Sequence, residues 1–500
     1  MRHPLLYQIN TRVVLGEIGR GLGRTATLDD LPESAFDDVK RRGFQWVWLL
    51  GVWQTGKAAR EISRRSPELR AAFARTLPDL TDDDITGSPY AVQAYTVNED
   101  FGGDAALARV RQRLADRSVK LLVDFVVNHA APDNEWVKTH PEYFVEGTED
   151  DLAREPQNYR RIDTGAGPKI LAYGRDPYFA GWPDTLQINY RHAGARRAML
   201  KELERIAERA DGARCDMAML VLPDVFRRTW GDRARPADGS PPVDDSFWPY
   251  AIAEVRRRRP EFLFMAEVYW DLEWTMQQAG FDFTYDKRLY DRLAAGQGRP
   301  VREHLLAAPD YQDRSVRFLE NHDEPRAAEV FAGEKHYAAA VIAFLVPGLR
   351  FFHEGQLEGR RVHVSMHLGR RPPEAPNLEI AAFYEGLLAV LRRPEVYDGR
   401  WRLLGCLPAW DGNPTWESFT VVTWDGGRAG ERLLVAVNYG ASRGQCYVPV
   451  EFDGVDADQV ALRDLLSSER YVRGRAEIAS RGLYLDLPAW GRNLFEVRAE

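Results

Sequence analysis

Gly212-Ala-Arg-Cys-Asp-Met-Ala-Met-Leu220 follows a helix-like run in which Met199, Leu203, Ile206, Ala207 and Ala210 share one face, so it reads as the strand of a βα unit. Side chains two apart on a strand point the same way, which puts Arg214 and Asp216 on one side. At the C-terminal end of a buried strand, a cation beside a carboxylate keeps that carboxylate ionised and presents it to a pocket. On this segment alone a purely structural ion pair is an equal reading. Other segments decide between the two.

Short apolar runs alternate with helix-like stretches on both sides of this strand. Leu5 to Ile9 and Gln45 to Leu50 precede it, as does Leu121 to Val127, which follows a helix-like Asp104 to Asp116 with Leu107, Val110 and Leu114 on one face. Phe262 to Glu267, Phe281 to Tyr285, Val316 to Leu319 and Leu349 to Phe352 follow it. Eight strands alternating with helices predict a (β/α)8 TIM barrel in the α/β class, with a doubly wound sheet as the alternative.

Three regions break the rhythm. Trp53 to Pro89 is a long charged excursion where barrel loops are usually short. The stretch 130–190, rich in Pro, Gly, Asp and aromatic residues, reads as an irregular subdomain after the third strand. From about Arg400 the pattern turns to β-runs with turn signals (Phe419 to Trp424, Leu433 to Tyr439, Gln445 to Val450, Leu483 to Leu487), which predicts a C-terminal antiparallel β-domain. The expected division is therefore a barrel from 1–129 and 191–399, an insertion at 130–190 and a β-domain at 400–500.

Composition narrows the function. With 44% hydrophobic residues in 500, the chain is long enough to bury a large core. A net charge of −8 argues against nucleic acid or an anionic membrane as partner. Three cysteines (Cys215, Cys406, Cys446), without Cys-x-x-Cys spacing, imply neither a disulfide framework nor a zinc site. Met1 to Gln8 lacks the apolar core of a secretory leader, and no apolar run is long enough to span a membrane. A cytoplasmic protein is the expectation; oligomeric state is left open.

The polar residues that end these strands form a constellation: Asp124 with Asn128-His129 at the third, Arg214 and Asp216 at the fourth, Glu267 at the fifth, Asn321-His322-Asp323 at the seventh. Each alone has a structural explanation, but gathering acids and histidines at one barrel mouth is costly unless a ligand or reaction uses them. Glycoside hydrolysis needs two carboxyls in different environments. Arg214 is expected to hold Asp216 ionised, while Glu267, after the apolar Phe262 to Ala266 run, is expected to be desolvated and to keep its proton. Trp48, Trp53, Tyr90, Tyr269 and Trp270 near strand ends suit stacking on sugar rings.

Asp124-Phe-Val-Val-Asn128-His129, Gly212-Ala-Arg214-Cys-Asp216, Ala266-Glu267-Val and Asn321-His322-Asp323 resemble, in order and position, four short conserved regions of the α-amylase superfamily, glycoside hydrolase family thirteen. Gln187-Ile-Asn189 resembles a fifth. The resemblance implies Asp216 as nucleophile, Glu267 as general acid/base and Asp323 as transition-state stabiliser in a retaining mechanism on α-glucosidic bonds. It further implies that His129 and His322 bind sugar hydroxyls, that Arg214 positions the nucleophile, that Tyr90 stacks under the ring and that Asp124 supports Arg214 and the sugar site. A carbohydrate is the implied partner and no organic cofactor is required. Asn128 matches a position that binds calcium in many amylases, so calcium is carried as an open alternative.

Departures from the family pattern refine the expectation. Met219-Leu220 stand where endo-acting amylases often have Lys-His, and Asn321-His322-Asp323-Glu324-Pro325-Arg326 resembles the Asn-His-Asp-x-Pro-Arg of α-glucosidases and trehalose-forming isomerases. A glycosidase on short oligosaccharides or small glucosides is thus expected, with a transglycosylase or isomerase at the same site, or a non-catalytic binding protein, as alternatives. In the exo-acting relatives an Asp before a Tyr often pairs with the final Arg; here Ala94 precedes Tyr95. Arg326 is therefore expected to enter the site and to find its acid in the Trp53 to Pro89 excursion (Asp79, Asp82 to Asp84) or in Glu324.

Overall fold

The computed structural model describes residues 3–426, 432–450 and 457–500. Eight parallel strands, β1 (Leu5–Asn10), β2 (Trp46–Leu50), β3 (Lys120–Val126), β4 (Gly212–Asp216), β5 (Leu263–Ala266), β6 (Phe283–Tyr285), β7 (Ser315–Arg317) and β8 (Leu349–His353), close into a barrel. β1 pairs with β2 from Leu6↔Trp46 onward and with β8 from Leu5↔Arg350 onward. An open doubly wound sheet leaves two unpaired edges, so this closure excludes it. Strands covered on both faces need no alternation, and β2, β4 and β8 are buried at every residue.

β4 is placed by what precedes it. The helix Ala193–Arg209 starts at His192, whose Nδ1 accepts the Ala195 N–H at 3.2 Å, and it turns Met199, Leu203 and Ile206 into the core. The chain then enters the barrel beside β3, with Arg214 opposite Asp124.

The loop after β2 holds Trp53–Thr55, which pairs antiparallel with Val92–Val97, and the helices Lys57–Arg65 and Pro67–Thr76. Ser66 caps the second helix and Pro67 starts it, where a missing N–H costs nothing. Phe73, Leu77 and Ile85 pack with Leu368, and Thr86 N–H donates to the His367 carbonyl at 2.8 Å, so this excursion sits against the loop after β8. Gly51 turns the chain out of β2 at φ +71°, and a Cβ there would lie 2.6 Å from the Pro89 side chain.

After β3, His129–Ala130 pairs with Leu186–Gln187, and a hairpin of Tyr159–Thr164 with Gly167–Ala172 lies between them. Beyond residue 400 a six-stranded antiparallel sheet and a three-stranded one enclose a second core around Phe419, Leu434, Val448 and Leu485. Trp424 Nε1–H donates to the Leu345 carbonyl at 2.9 Å and the Tyr439 hydroxyl to the Leu293 carbonyl at 2.6 Å, which fastens these sheets to the barrel. Among the described residues no helix is long and apolar enough to cross a membrane.

Candidate active site

Asp216 ends β4 and Glu267 directly follows β5; the register Cys215↔Ala266 sets the two carboxyls side by side at the C-terminal mouth. A cavity of about 340 Å³ lies there, lined by Tyr90, His129, Asp184, Asp216, Glu267 and Asp323 among others. A larger cavity of about 780 Å³ opens at the other end of the barrel, among strand starts such as Lys120 and Leu263. Its Asp282 is engaged by Arg256 at 2.7 Å, and Asp216, Glu267 and Asp323 all line the smaller pocket instead.

Arg214 organises that pocket. Fully buried, it donates through Nη1 to Asp216 Oδ1 at 2.5 Å and through Nη2 to Glu267 Oε2 at 2.7 Å. The rings of Trp48, Tyr90 and Tyr285 surround it, with its Cζ at 5.4, 5.2 and 5.8 Å from their centroids. Arg214 pairs with Asp216, as the sequence suggests, and with Glu267 as well. A planar guanidinium has two donor ends, and strand closure brings a carboxyl to each.

Glu267 takes two further donors: the Met217 N–H at 2.7 Å on Oε2 and the Tyr269 hydroxyl at 2.8 Å on Oε1. Met217 does so from the left-handed region at φ +41°, uncommon for a residue with a side chain and characteristic of functional sites. Burial is the largest influence on both Asp216 and Glu267 and pushes both carboxyls up, opposed by Arg214. Two acids with one cation between them favour a shared proton.

His322 lies beneath Asp323. Its Nε2 is 2.5 Å from the Tyr90 hydroxyl and 3.1 Å from Asp323 Oδ2, while its Nδ1 is 3.0 Å from Gln8 Nε2. Since the Gln8 amide can only donate there, Nδ1 accepts and Nε2 carries the hydrogen, a tautomer assigned from the network. The other end of Gln8, Oε1, takes His353 Nδ1–H at 2.7 Å. Burial pushes His322 well below its ordinary range and His129 down to about 4, so both rings are neutral hydrogen-bonding groups.

The remaining expected residues fall in two groups. Tyr90 and His129 line the pocket, and Trp182 packs on His129 at 5.2 Å. Asp124 lies behind the pocket: Trp48 Nε1–H and Gly51 N–H donate to its two oxygens at 3.1 and 2.7 Å, and burial pushes it up to about 7 against the pull of Arg214. Its support of Arg214 is therefore through space. Trp48 and Trp53 are core residues rather than exposed stacking faces, whereas Tyr269 lines the pocket.

Arg326 is corrected outright. Its Nη1 donates to buried Glu320 at 2.7 Å and its Nη2 to the Glu354 carbonyl at 2.9 Å, and it does not line the pocket. The acids expected to reach it are taken elsewhere: Asp79 and Asp84 by Arg370, Asp82 by Arg70, Glu324 by Lys287. Arg326→Ala should therefore lower stability by about 3 kcal/mol, since Glu320 stays buried without its cation. Urea denaturation checks this, and an unchanged midpoint would refute it.

Calcium at Asn128 does not fit these residues. The Asn128 Oδ1 and carbonyl oxygens and the Ile188 carbonyl all converge on Gln187 Nε2, at 2.9, 2.9 and 3.1 Å, so a side-chain amide fills the space a cation would take. Among the described residues no group of three or more His, Cys, Asp or Glu is arranged to hold a metal ion.

Sequence reasoning missed Gln8, Met217 and Asp184. Asp184 lines the pocket with one carboxylate oxygen buried and unpartnered, and burial pushes it up to about 6. Asp184 follows a Trp-Pro pair inside an aromatic stretch that gives no periodic signal; Gln8 sits inside the strand Leu5–Asn10, between Tyr7 and Ile9, where nothing in the sequence points to a partner.

The fold and site define a (β/α)8 barrel with four carboxyl residues, Asp184, Asp216, Glu267 and Asp323, gathered at its C-terminal mouth. The model of the α-amylase catalytic domain matches residues 81–365, and the chain belongs to that family. It is similar to the α-amylase MalA of Haloarcula japonica, 29% identical over 297 residues, covering 57% of this chain and 38% of the relative. It is also similar to an α-1,4-glucan:maltose-1-phosphate maltosyltransferase of Burkholderia pseudomallei, 22% identical, covering 57% of this chain and 24% of that protein. The chain thus aligns with less than half the length of these curated relatives. Its fold is similar to that of a maltogenic α-amylase of Thermotoga neapolitana, with a TM-score of 0.69 at 20% identity, covering 100% of this chain and 99% of the other.

Proposed function

We propose that the chain is a retaining α-glycoside hydrolase acting on short oligosaccharides or small glucosides. The observation that carries this reading is the single guanidinium of Arg214 gripping Asp216 and Glu267 at its two ends. Two carboxyls bonded to one guanidinium suit the close pair, ~5–5.5 Å apart, that attacks directly rather than through water. Asp216 attacks the anomeric carbon; Glu267 protonates the leaving oxygen, then takes a proton from the incoming water. Asp323, open to the pocket, faces the positive charge that develops on the sugar ring. A 340 Å³ cavity is at the small end of the ~300–1,000 Å³ range of ligand sites, which favours one or two sugar units over a long chain.

Glu267 accepts from Arg214, Met217 and Tyr269, and the first two oppose the burial that pushes the carboxyl up. Substrate must displace part of this set, the Tyr269 hydroxyl being the most exchangeable, before the carboxyl can donate. Incubation with maltose, isomaltose, sucrose, trehalose and aryl α-glucosides, followed by NMR of the first-formed sugar, tests the proposal. An α-anomer released from a short substrate is expected. A β-anomer, or no turnover of any of them, defeats it.

The pH dependence follows from the two raised carboxyls. Activity is expected to fall on the acid side as Asp216 gains a proton and on the alkaline side as Glu267 loses its own, both limbs lying above the ordinary carboxylate range. Neither limb belongs to a histidine, because His129 and His322 are held neutral. Glu267→Gln should erase the alkaline limb of residual activity on a substrate with a good leaving group; its persistence would reassign the acid.

Gln8→Glu tests the tautomer. A carboxylate at position 8 accepts from both ring Nδ1 atoms, so His322 gives up its Nε2–H or becomes charged. We expect kcat/KM to fall by about 10–100-fold, the size typical of losing a partner that orients a reactive-site histidine. Unchanged kcat/KM would show that the Nε2–H is not used.

A further inference from the structure

We propose that the cavity between the helix Thr11–Leu22 and the excursion after β2 is a second ligand site, one for a small phosphate-type oxyanion. It measures about 500 Å³ and is lined by Arg12, Arg20, Arg24, Arg60, Thr55 and Thr86 among others. It is distinct from the carboxylate pocket, with which it shares no lining residue, although Thr86 and Gly369 here stand two residues from Ser88 and His367 there.

Arg12 carries the inference. It is 6% exposed, and its donors reach only neutral oxygens: Nη1 to the Gly87 carbonyl at 2.6 Å and to Thr86 Oγ1 at 3.3 Å, Nη2 to Thr55 Oγ1 at 2.8 Å. Among the described residues neither Arg12, Arg20 nor Arg60 forms an ion pair, whereas Arg24 is held by Asp30 at 2.5 Å. The two aspartates on the cavity do not balance them: the Asp83 side chain is fully exposed and Asp100 is exposed on its short helix. Arg350 also bonds only carbonyls, but it is walled in at 0% exposure, while Arg12 faces open volume with a second guanidinium nearby.

Burial and the Arg60 charge together push Arg12 down to about 10, as expected for cations without a counter-charge. Exposed Arg20 lies within Coulombic reach of Glu17, so in a chain of net charge −8 Arg12 and Arg60 are the cations on this cavity without a carboxylate partner, a local feature and not part of a basic surface. Planar guanidinium forks with hydroxyls between them match the oxygens of a phosphate, and cations on two walls suit a dianion better than a monocarboxylate. Gly87, at φ +81°, brings its carbonyl to Arg12; a Cβ there would lie 2.9 Å from Arg60 Cα, so the wall is closely packed before any ligand arrives.

Isothermal titration calorimetry at fixed ionic strength with inorganic phosphate, glucose 6-phosphate and acetate tests this without reference to catalysis. Saturable binding of phosphate is expected, with acetate weaker. Equal affinity for both phosphates identifies the free ion as sufficient, and tighter glucose 6-phosphate identifies a sugar-borne group. Arg60→Gln, which leaves the Arg12 bonds untouched, should weaken binding by about tenfold or more. Arg12→Gln should abolish it, with circular dichroism to confirm folding. No saturable binding of either phosphate at millimolar concentration, acetate binding as tightly as phosphate, or wild-type affinity in Arg60→Gln would each overturn the proposal.

Discussion

Asp216→Asn is expected to cut turnover by about 10⁴-fold or more while leaving the fold intact, the size of loss seen when a covalent nucleophile is removed. The fold should survive because Asp216 accepts a single hydrogen bond, from Arg214, which an amide oxygen can also accept. Arg214 also keeps Glu267 as its counter-charge. Loss of the nucleophile is not the whole effect: the Asp216 charge helps push Glu267 up, so its removal lets Glu267 ionise more readily and weakens the acid as well. A smaller variant separates the nucleophilic role from a structural one. Asp216→Gly with azide and an α-glucosyl fluoride should yield the β-glucosyl azide, since the anion enters from the face the carboxylate has vacated. Near-normal activity in Asp216→Asn, or an azide product of α configuration, would remove Asp216 from that role.

The barrel was legible because its strands are buried on both faces and appear as unbroken apolar runs, Trp46–Leu50 above all. The pocket was legible where one strand ends in a polar residue, as with Asp216, Glu267 and Asp323. Contacts made between strands after closure were not. Arg326 and Glu320 lie six residues apart around a turn, a spacing with no periodic signature, so the acid of Arg326 was sought in the wrong loop. Gln8 and His322 are 314 residues apart, and only the pairing of β1 with β8, and of β8 with β7, brings them together. The excursion at Trp53 to Pro89 was recognisable as an interruption, but its packing depends on Leu368 and His367 from the far end of the barrel.

Arg214 is where stability and chemistry meet, and its removal should be costly to both. Among the described residues it is the one cation bonded to Asp216 and to Glu267, so Arg214→Gln leaves two buried carboxyls without a counter-charge, a loss of about 3–5 kcal/mol for breaking a buried pair from one side. The sign of the pH dependence identifies the cause. Both carboxyls are already raised in the folded protein, and without the guanidinium they rise further, so the folded variant binds more protons than the unfolded chain. Its stability must then fall as pH climbs from the unfolded carboxylate value, about 4, through the raised folded values. Urea midpoints should show a small deficit near pH 4.5 that widens toward pH 8, and a deficit constant across that range would mean that packing against Trp48, Tyr90 and Tyr285 is what was lost. Arg214→Lys separates charge from shape: an ammonium restores the cation, and with it part of the stability, but a point charge cannot hold two carboxyls at fixed separation, so kcat should remain low.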